Sequence, residues 1–191
     1  MAKGYRGGVD PASVPVSVSL PNLGLQICTA PCKRVDCTPV AGPRGNRASH
    51  KENTTELFMK SGIDTATFAI LHHKRIYFGH QSVGANILAG IQDMGRTDPA
   101  FALNIVESCK PDAYNEPVLG HSRIGRNHDP RSKIDGFSEV LGAGLGNRVD
   151  MALFKFCYVD VTDGSDYTGL FDYYRNVMKQ LARAYPHTQL I

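Results

Sequence analysis

The stretch Ile76-Tyr-Phe-Gly-His-Gln-Ser-Val-Gly-Ala-Asn-Ile-Leu88 changes its hydrophobic period part-way along. Ile76-Tyr-Phe78 is a short apolar run closed by Gly79 and reads as a strand, whereas over residues 83–94 Val83, Ile87, Leu88, Ile91 and Met94 recur at helical spacing. Gly95 supplies a stop for that helix. Downstream, residues 102–106 read as a second strand, followed by a long polar connection over residues 108–131. Ser132 can cap a helix that turns Ile134, Phe137, Val140 and Leu141 inward. Residues 151–161 are almost continuously apolar, as expected of a central strand covered on both faces. Asp163-Gly-Ser-Asp166 opens a further helix with Leu170, Tyr174, Val177, Leu181 and Tyr185 along one stripe, and residues 188–191 begin another strand. Upstream, residues 54–60 suit a short helix ending at Gly62, and residues 64–72 a second one capped by Asp64, with Phe68 and Leu71 on one side. Strands alternating with helical connections imply an α/β fold, a parallel sheet with helices on both faces. A last strand that starts after Pro186 and stops within a few residues leaves an uncovered sheet edge, so the domain is expected to be incomplete at its carboxyl terminus.

The 191 residues are 42% hydrophobic and 20% charged, which suits one ordinary domain with a real core. Residues 1–53 hold six of the eleven prolines and seven Lys/Arg against three Asp/Glu, and carry no sustained periodicity. They read as a poorly ordered basic extension, with the domain running over 54–191. The domain itself is close to neutral, which argues against a nucleic-acid partner. No run approaches the length of a membrane-spanning helix, and prolines interrupt the start before any signal-like apolar core forms. Cys28, Cys32 and Cys37 lack a fourth ligand at zinc-like spacing, with His50 only a distant candidate. Free thiols and a cytoplasmic location are the expectation, with no metal and no cofactor.

Ligands of open α/β sheets bind outside the carboxyl ends of the strands, and three segments reach that edge. In the first, Ser82 stands where the strand has ended and the helix begins. It can cap the helix, or it can be a nucleophile with exposed helix amides beside it for an oxyanion. His80 can serve as a base or line the pocket. In the second, Arg123, Arg126 and Arg131 can hold an anionic or acyl-oxygen group, Gly125 can offer its amide and Asn127 its side chain. The alternative there is a solvated loop in which Asp129 pairs with an arginine. In the third, Asp160 either accepts backbone hydrogen bonds or contributes to a polar site, Lys155 must either reach past the sheet or find a partner such as an acidic side chain, and Cys157 reads as core.

Ile76-Tyr-Phe-Gly-His-Gln-Ser-Val-Gly84 resembles the SGNH/GDSL hydrolases, and more closely the branch whose first block reads His-x-Ser-Val-Gly; the resemblance runs from about residue 70 onward. It implies a flavodoxin-like three-layer α/β/α sandwich and an esterase or acetylhydrolase acting on carboxylic or carbohydrate esters. By that resemblance Ser82 is the nucleophile, and its partners in the oxyanion hole are the amides at Val83 and Gly125, with Asn127 standing in for the third-block asparagine. That third block falls at Cys157-Tyr-Val-Asp160, where Val159 occupies the asparagine position. His80, His121, Arg123, Arg126 and Asp160 become substrate-binding candidates. The family's Asp-x-x-His pair near the carboxyl terminus does not occur in this sequence, so a base for Ser82 is unassigned, with His121 and His128 as possible substitutes. The expected partner is a small-molecule or carbohydrate ester, with no nucleic acid and no membrane. The alternative is a non-catalytic remnant that binds a glycan or small acyl ligand through residues 120–131. A phosphate-binding module would use the helix start at Ser82, but no Gly-x-Gly-x-x-Gly run supports it.

Overall fold

The computed structural model describes residues 65–191. The expected extension, its cysteines, the helix over 54–60 and the Asp64 cap lie outside those residues. A short helix α1 (Thr65–Ala69) runs into a 3-10 turn (Ile70–His73) and then β1 (Arg75–His80). There follow α2 (Ser82–Thr97), β2 (Ile105–Glu107), β3 (Val118–Arg123), α3 (Pro130–Gly142), β4 (Met151–Phe154), α4 (Tyr167–Ala184) and β5 (Gln189–Leu190). The five strands form one sheet, every pair parallel, in the order β2-β3-β1-β4-β5.

Strand β1 is central because its residues are apolar on both faces. Ile76 and Phe78 pack with Leu88 of α2 and Leu119 of β3. Tyr77, on the opposite face, packs with Phe137 and Leu141 of α3, Ala152 of β4 and Leu181 of α4. The helices therefore cover both sides, and the fold is a flavodoxin-like three-layer α/β/α sandwich. Each fully buried side chain such as Phe137 or Leu141 contributes about 1.5–3 kcal/mol by leaving water. β1 pairs with β3 from Arg75↔Val118 to His80↔Arg123, and with β4 from Ile76↔Met151 to Gly79↔Phe154, so three carboxyl ends share one edge.

Four expectations are corrected. The connection after residue 108 is not structureless: it contains β3, the neighbour of β1, so His121 and Arg123 stand on a strand. The apolar run 151–161 forms a strand only over Met151–Phe154, one place from the centre, and then turns through a 3-10 turn at Tyr158–Asp160. Helix α2 passes through Gly95, whose missing side chain makes room for Ala102, and ends before Pro99, which has no amide hydrogen to continue it. Asp129, not Ser132, caps α3: its carboxylate accepts from the Ser132 amide at 3.2 Å, while the Ser132 hydroxyl donates to the Asp129 carbonyl. Asp166 does cap α4, accepting from the Gly169 amide at 2.9 Å, and the strand expected after Pro186 is β5.

Candidate active site

β1 ends at His80, and Gln81 carries the chain in extended conformation (φ −126°, ψ −156°) into α2. Gln81 is thus the residue before the helix, and Ser82 is its first turn. The Ser82 side chain caps nothing, is exposed, and makes no hydrogen bond to any described residue. The first bond of the helix runs from the Ala85 amide to the Gln81 carbonyl at 3.2 Å, so the amides of Ser82, Val83 and Gly84 precede the ladder and point out of its positive end. Gly84 fixes how low α2 sits: a β-carbon there would stand 2.2 Å from that of His80.

His80 is 2% exposed. Its Nδ1 lies 2.7 Å from the Gln81 carbonyl and its Nε2 3.0 Å from Nδ1 of His121. The parallel register places His121 opposite both Phe78 and Glu107, on the α2 side of the sheet. Burial pushes the His121 imidazole below its ordinary pKa, the neighbouring His80 acts in the same direction, and Glu107 opposes them.

The Gln81 side chain spans to the turn that follows β3. Its Nε2 donates to the carbonyls of Ile124 at 2.9 Å and Gly125 at 2.8 Å. Gly125 adopts a left-handed φ of 57°, and a β-carbon there would lie 2.5 Å from the Lys133 nitrogen. Its own amide nitrogen lies against α3, 3.3 Å from where Gly136 would carry a β-carbon. Arg123 is exposed at the end of β3. Arg126 is exposed and paired with Asp129 at 2.8 Å, the solvated alternative considered for this segment.

A second assembly lies between the segments that follow β3 and β4. Lys133 and Asp160 form an ion pair whose side chains are both fully buried. Lys133 also donates to Oδ1 of Asn127 at 3.1 Å, and Asp160 accepts from the amides of His128 at 3.0 Å and Cys157 at 2.5 Å. His128 is held at φ 65°, a conformation few residues other than glycine adopt. Beside this network is a cleft of about 320 Å³, lined among others by His128, Arg131, Val159, Asp160, Thr162 and Asp166. Ser82 is not among its lining residues.

The structure therefore pairs His80 with His121 across β1 and β3, and starts α2 with Ser82 and Val83 just beyond His80. It joins Asn127, itself exposed, to the buried pair of Lys133 and Asp160, and sets the Gly125 amide nitrogen against α3. Arg123 and Arg126 stay in solvent. Lys155 finds no acidic partner among the described residues; it donates to the Phe156 carbonyl at 3.0 Å. Sequence reasoning passed over Gln81, Glu107 and Lys133. Of these Lys133 left a signal: it shares the inward stripe of α3 with Ile134, Phe137 and Leu141, where a lysine demands a buried acidic partner. Among the described residues no three His, Cys, Asp or Glu side chains are grouped to hold a metal ion, and no helix is long and apolar enough to cross a membrane. Comparison with family models, with curated proteins and with solved structures found no match for this chain.

Proposed function

We propose that this chain is a serine ester hydrolase of the SGNH type, acting on small carboxylic or carbohydrate esters. The observation that carries the reading is the exposed, unengaged hydroxyl of Ser82 on the first turn of a long helix, at the carboxyl end of the central strand. Its oxygen attacks the ester carbonyl. The charge that develops on the carbonyl oxygen is met by the amides of Ser82 and Val83, whose partial positive charge is already oriented and costs no reorganisation during attack. His80 beneath this turn hydrogen-bonds the carbonyl of the same peptide unit whose amide belongs to Ser82, and so polarises that donor.

The test is turnover of p-nitrophenyl acetate together with covalent labelling by a fluorophosphonate probe, in the full chain and in Ser82→Ala. Labelling and turnover that vanish with the hydroxyl support the reading; equal behaviour of the two proteins refutes it. The 320 Å³ cleft that Ser82 does not line favours a second reading, a non-catalytic site for a glycan or small acyl ligand. Calorimetric binding of an acetylated oligosaccharide by Ser82→Ala, lost on Arg131→Ala, would support that one.

A further inference from the structure

We infer that Asp163-Gly164 is a site of covalent modification, where the aspartate isomerises through a cyclic imide and reshapes one wall of the 320 Å³ cleft. The inference is independent of the hydrolase reading.

An aspartyl side chain can close a five-membered ring onto the amide nitrogen of the next residue. Glycine in that next place obstructs the closure least, since it has no side chain. The amide must also be unclaimed by another bond, and the carboxyl free to swing onto it. The sequence holds two Asp-Gly pairs, Asp135-Gly136 and Asp163-Gly164, and the structure separates them. The first lies inside α3, where the Gly136 amide belongs to the helical ladder. The Asp135 carboxylate is engaged as well, accepting from the Tyr173 hydroxyl. The second pair occupies the two central positions of a turn, closed by the Ser165 amide on the Thr162 carbonyl at 2.8 Å. Both of its residues are exposed. Neither the Asp163 carboxylate nor the Gly164 amide bonds to any described residue. The surrounding bonds hold the flanks instead: the Thr162 amide donates to the Ser165 hydroxyl at 2.8 Å, and the Tyr167 hydroxyl to the Thr162 carbonyl at 2.7 Å. All the conditions for ring closure therefore meet at Asp163 and fail at Asp135.

The step needs no reactant but water. With the Asp163 carboxyl protonated, the Gly164 nitrogen bonds to its Cγ carbon, and the carboxyl hydroxyl and the amide hydrogen leave together as water. Water then adds to either carbonyl of the ring. Opening on one side restores aspartate; opening on the other routes the main chain through the side-chain carbons and frees the former main-chain carboxyl. The backbone between Thr162 and Ser165 is then longer by a methylene, so the hydrogen-bonded ring that closes the turn no longer fits. Thr162 and Ser165 both line the cleft, which is why the change reaches its wall.

The test compares the full chain kept folded at neutral pH with the same chain unfolded in guanidinium chloride. Isoaspartate is located by electron-transfer fragmentation of the peptides carrying each pair, and followed in intact protein by methylation with an isoaspartyl methyltransferase. The folded chain should gain isoaspartate at Asp163 and not at Asp135, and the unfolded chain at both. Asp163→Glu, whose ring would need a sixth member, should abolish methylation of the folded chain. Gly164→Val should slow it; a β-carbon there meets nothing within 4 Å and no left-handed φ opposes one, so this variant should fold. In the isomerised fraction the Ser165 amide should exchange its hydrogen faster than in the parent. Equal isoaspartate at the two sites of the folded chain, or none at Asp163 while the unfolded chain forms it, would overturn the inference. Unchanged exchange at Ser165 would overturn the reshaping of the cleft wall.

Discussion

Breaking the buried pair between Lys133 and Asp160 should cost more than any surface change, and the two ways of breaking it should differ. Both side chains are fully buried, so neither charge can be rescued by water. Removing one partner of such a pair costs about 3–5 kcal/mol. In Lys133→Met the carboxylate of Asp160 keeps the amides of His128 and Cys157, and a bond to a charged group is worth about 1.5–3 kcal/mol. That places the substitution at the lower end, about 3 kcal/mol. Asp160→Ala is worse: it leaves the Lys133 ammonium with the single neutral acceptor of Asn127 and strips the partner from two amides, for about 5 kcal/mol or more. Equilibrium unfolding in urea reads both. With a slope of about 1–3 kcal/mol per molar, Lys133→Met should lower the midpoint by about 1–3 M at unchanged slope. A midpoint equal to the parent's, or a larger loss in Lys133→Met than in Asp160→Ala, would refute the reasoning.

Ser82→Ala should leave stability within about 0.5 kcal/mol, since the hydroxyl caps nothing; a helix cap would cost about 1 kcal/mol, and thermal unfolding separates the two. The Arg75 guanidinium, bonded to Asp150 at 2.7 Å, holds that carboxyl below the usual range. A depressed carboxyl contributes stability above its unfolded pKa of about 3.9 and loses it as pH falls through the lower folded value. Asp150→Asn should therefore be less stable by about 1 kcal/mol near neutrality, allowing for solvent around the pair, with the gap closing below about pH 4 in acid-unfolding curves. The bond from the Tyr173 hydroxyl to Asp135, with burial second, pushes the phenol up to about 12. Its contribution is present below the ordinary value of about 10 and lost as pH rises through the shifted one. Tyr173→Phe should delete the late phenolate step from an ultraviolet titration and cost about 1 kcal/mol at pH 7.

What could be read in advance follows from which residues had apolar neighbours in sequence. β1, α2 and α4 were legible because Ile76 and Phe78, Leu88, and Leu181 recur at the period of their own element. β3 was not, because its outer half is His121-Ser122-Arg123 and its Gly120 is dictated from elsewhere: a β-carbon there would fall 2.0 Å from the Tyr114 hydroxyl oxygen. The run 151–161 misled in the opposite sense. Its apolar character continues past Phe154, but the backbone turns there to bring Asp160 under Lys133, a demand set by a residue far away in the chain. The position of Ser82 at the strand–helix junction was plain. Its neighbours were not, since pairing His80 with His121 requires the register of a strand that the polar residues concealed.

One nitrogen of Gln81 serves two carbonyls on the turn beyond β3. Slow hydrolysis of that amide would put a carboxylate oxygen where the donor stood, so three lone-pair-bearing oxygens would face one another and the fastening between the two turns would become a repulsion. The loss of one side-chain nitrogen would thus unfasten the Ser82 turn from the turn beyond β3.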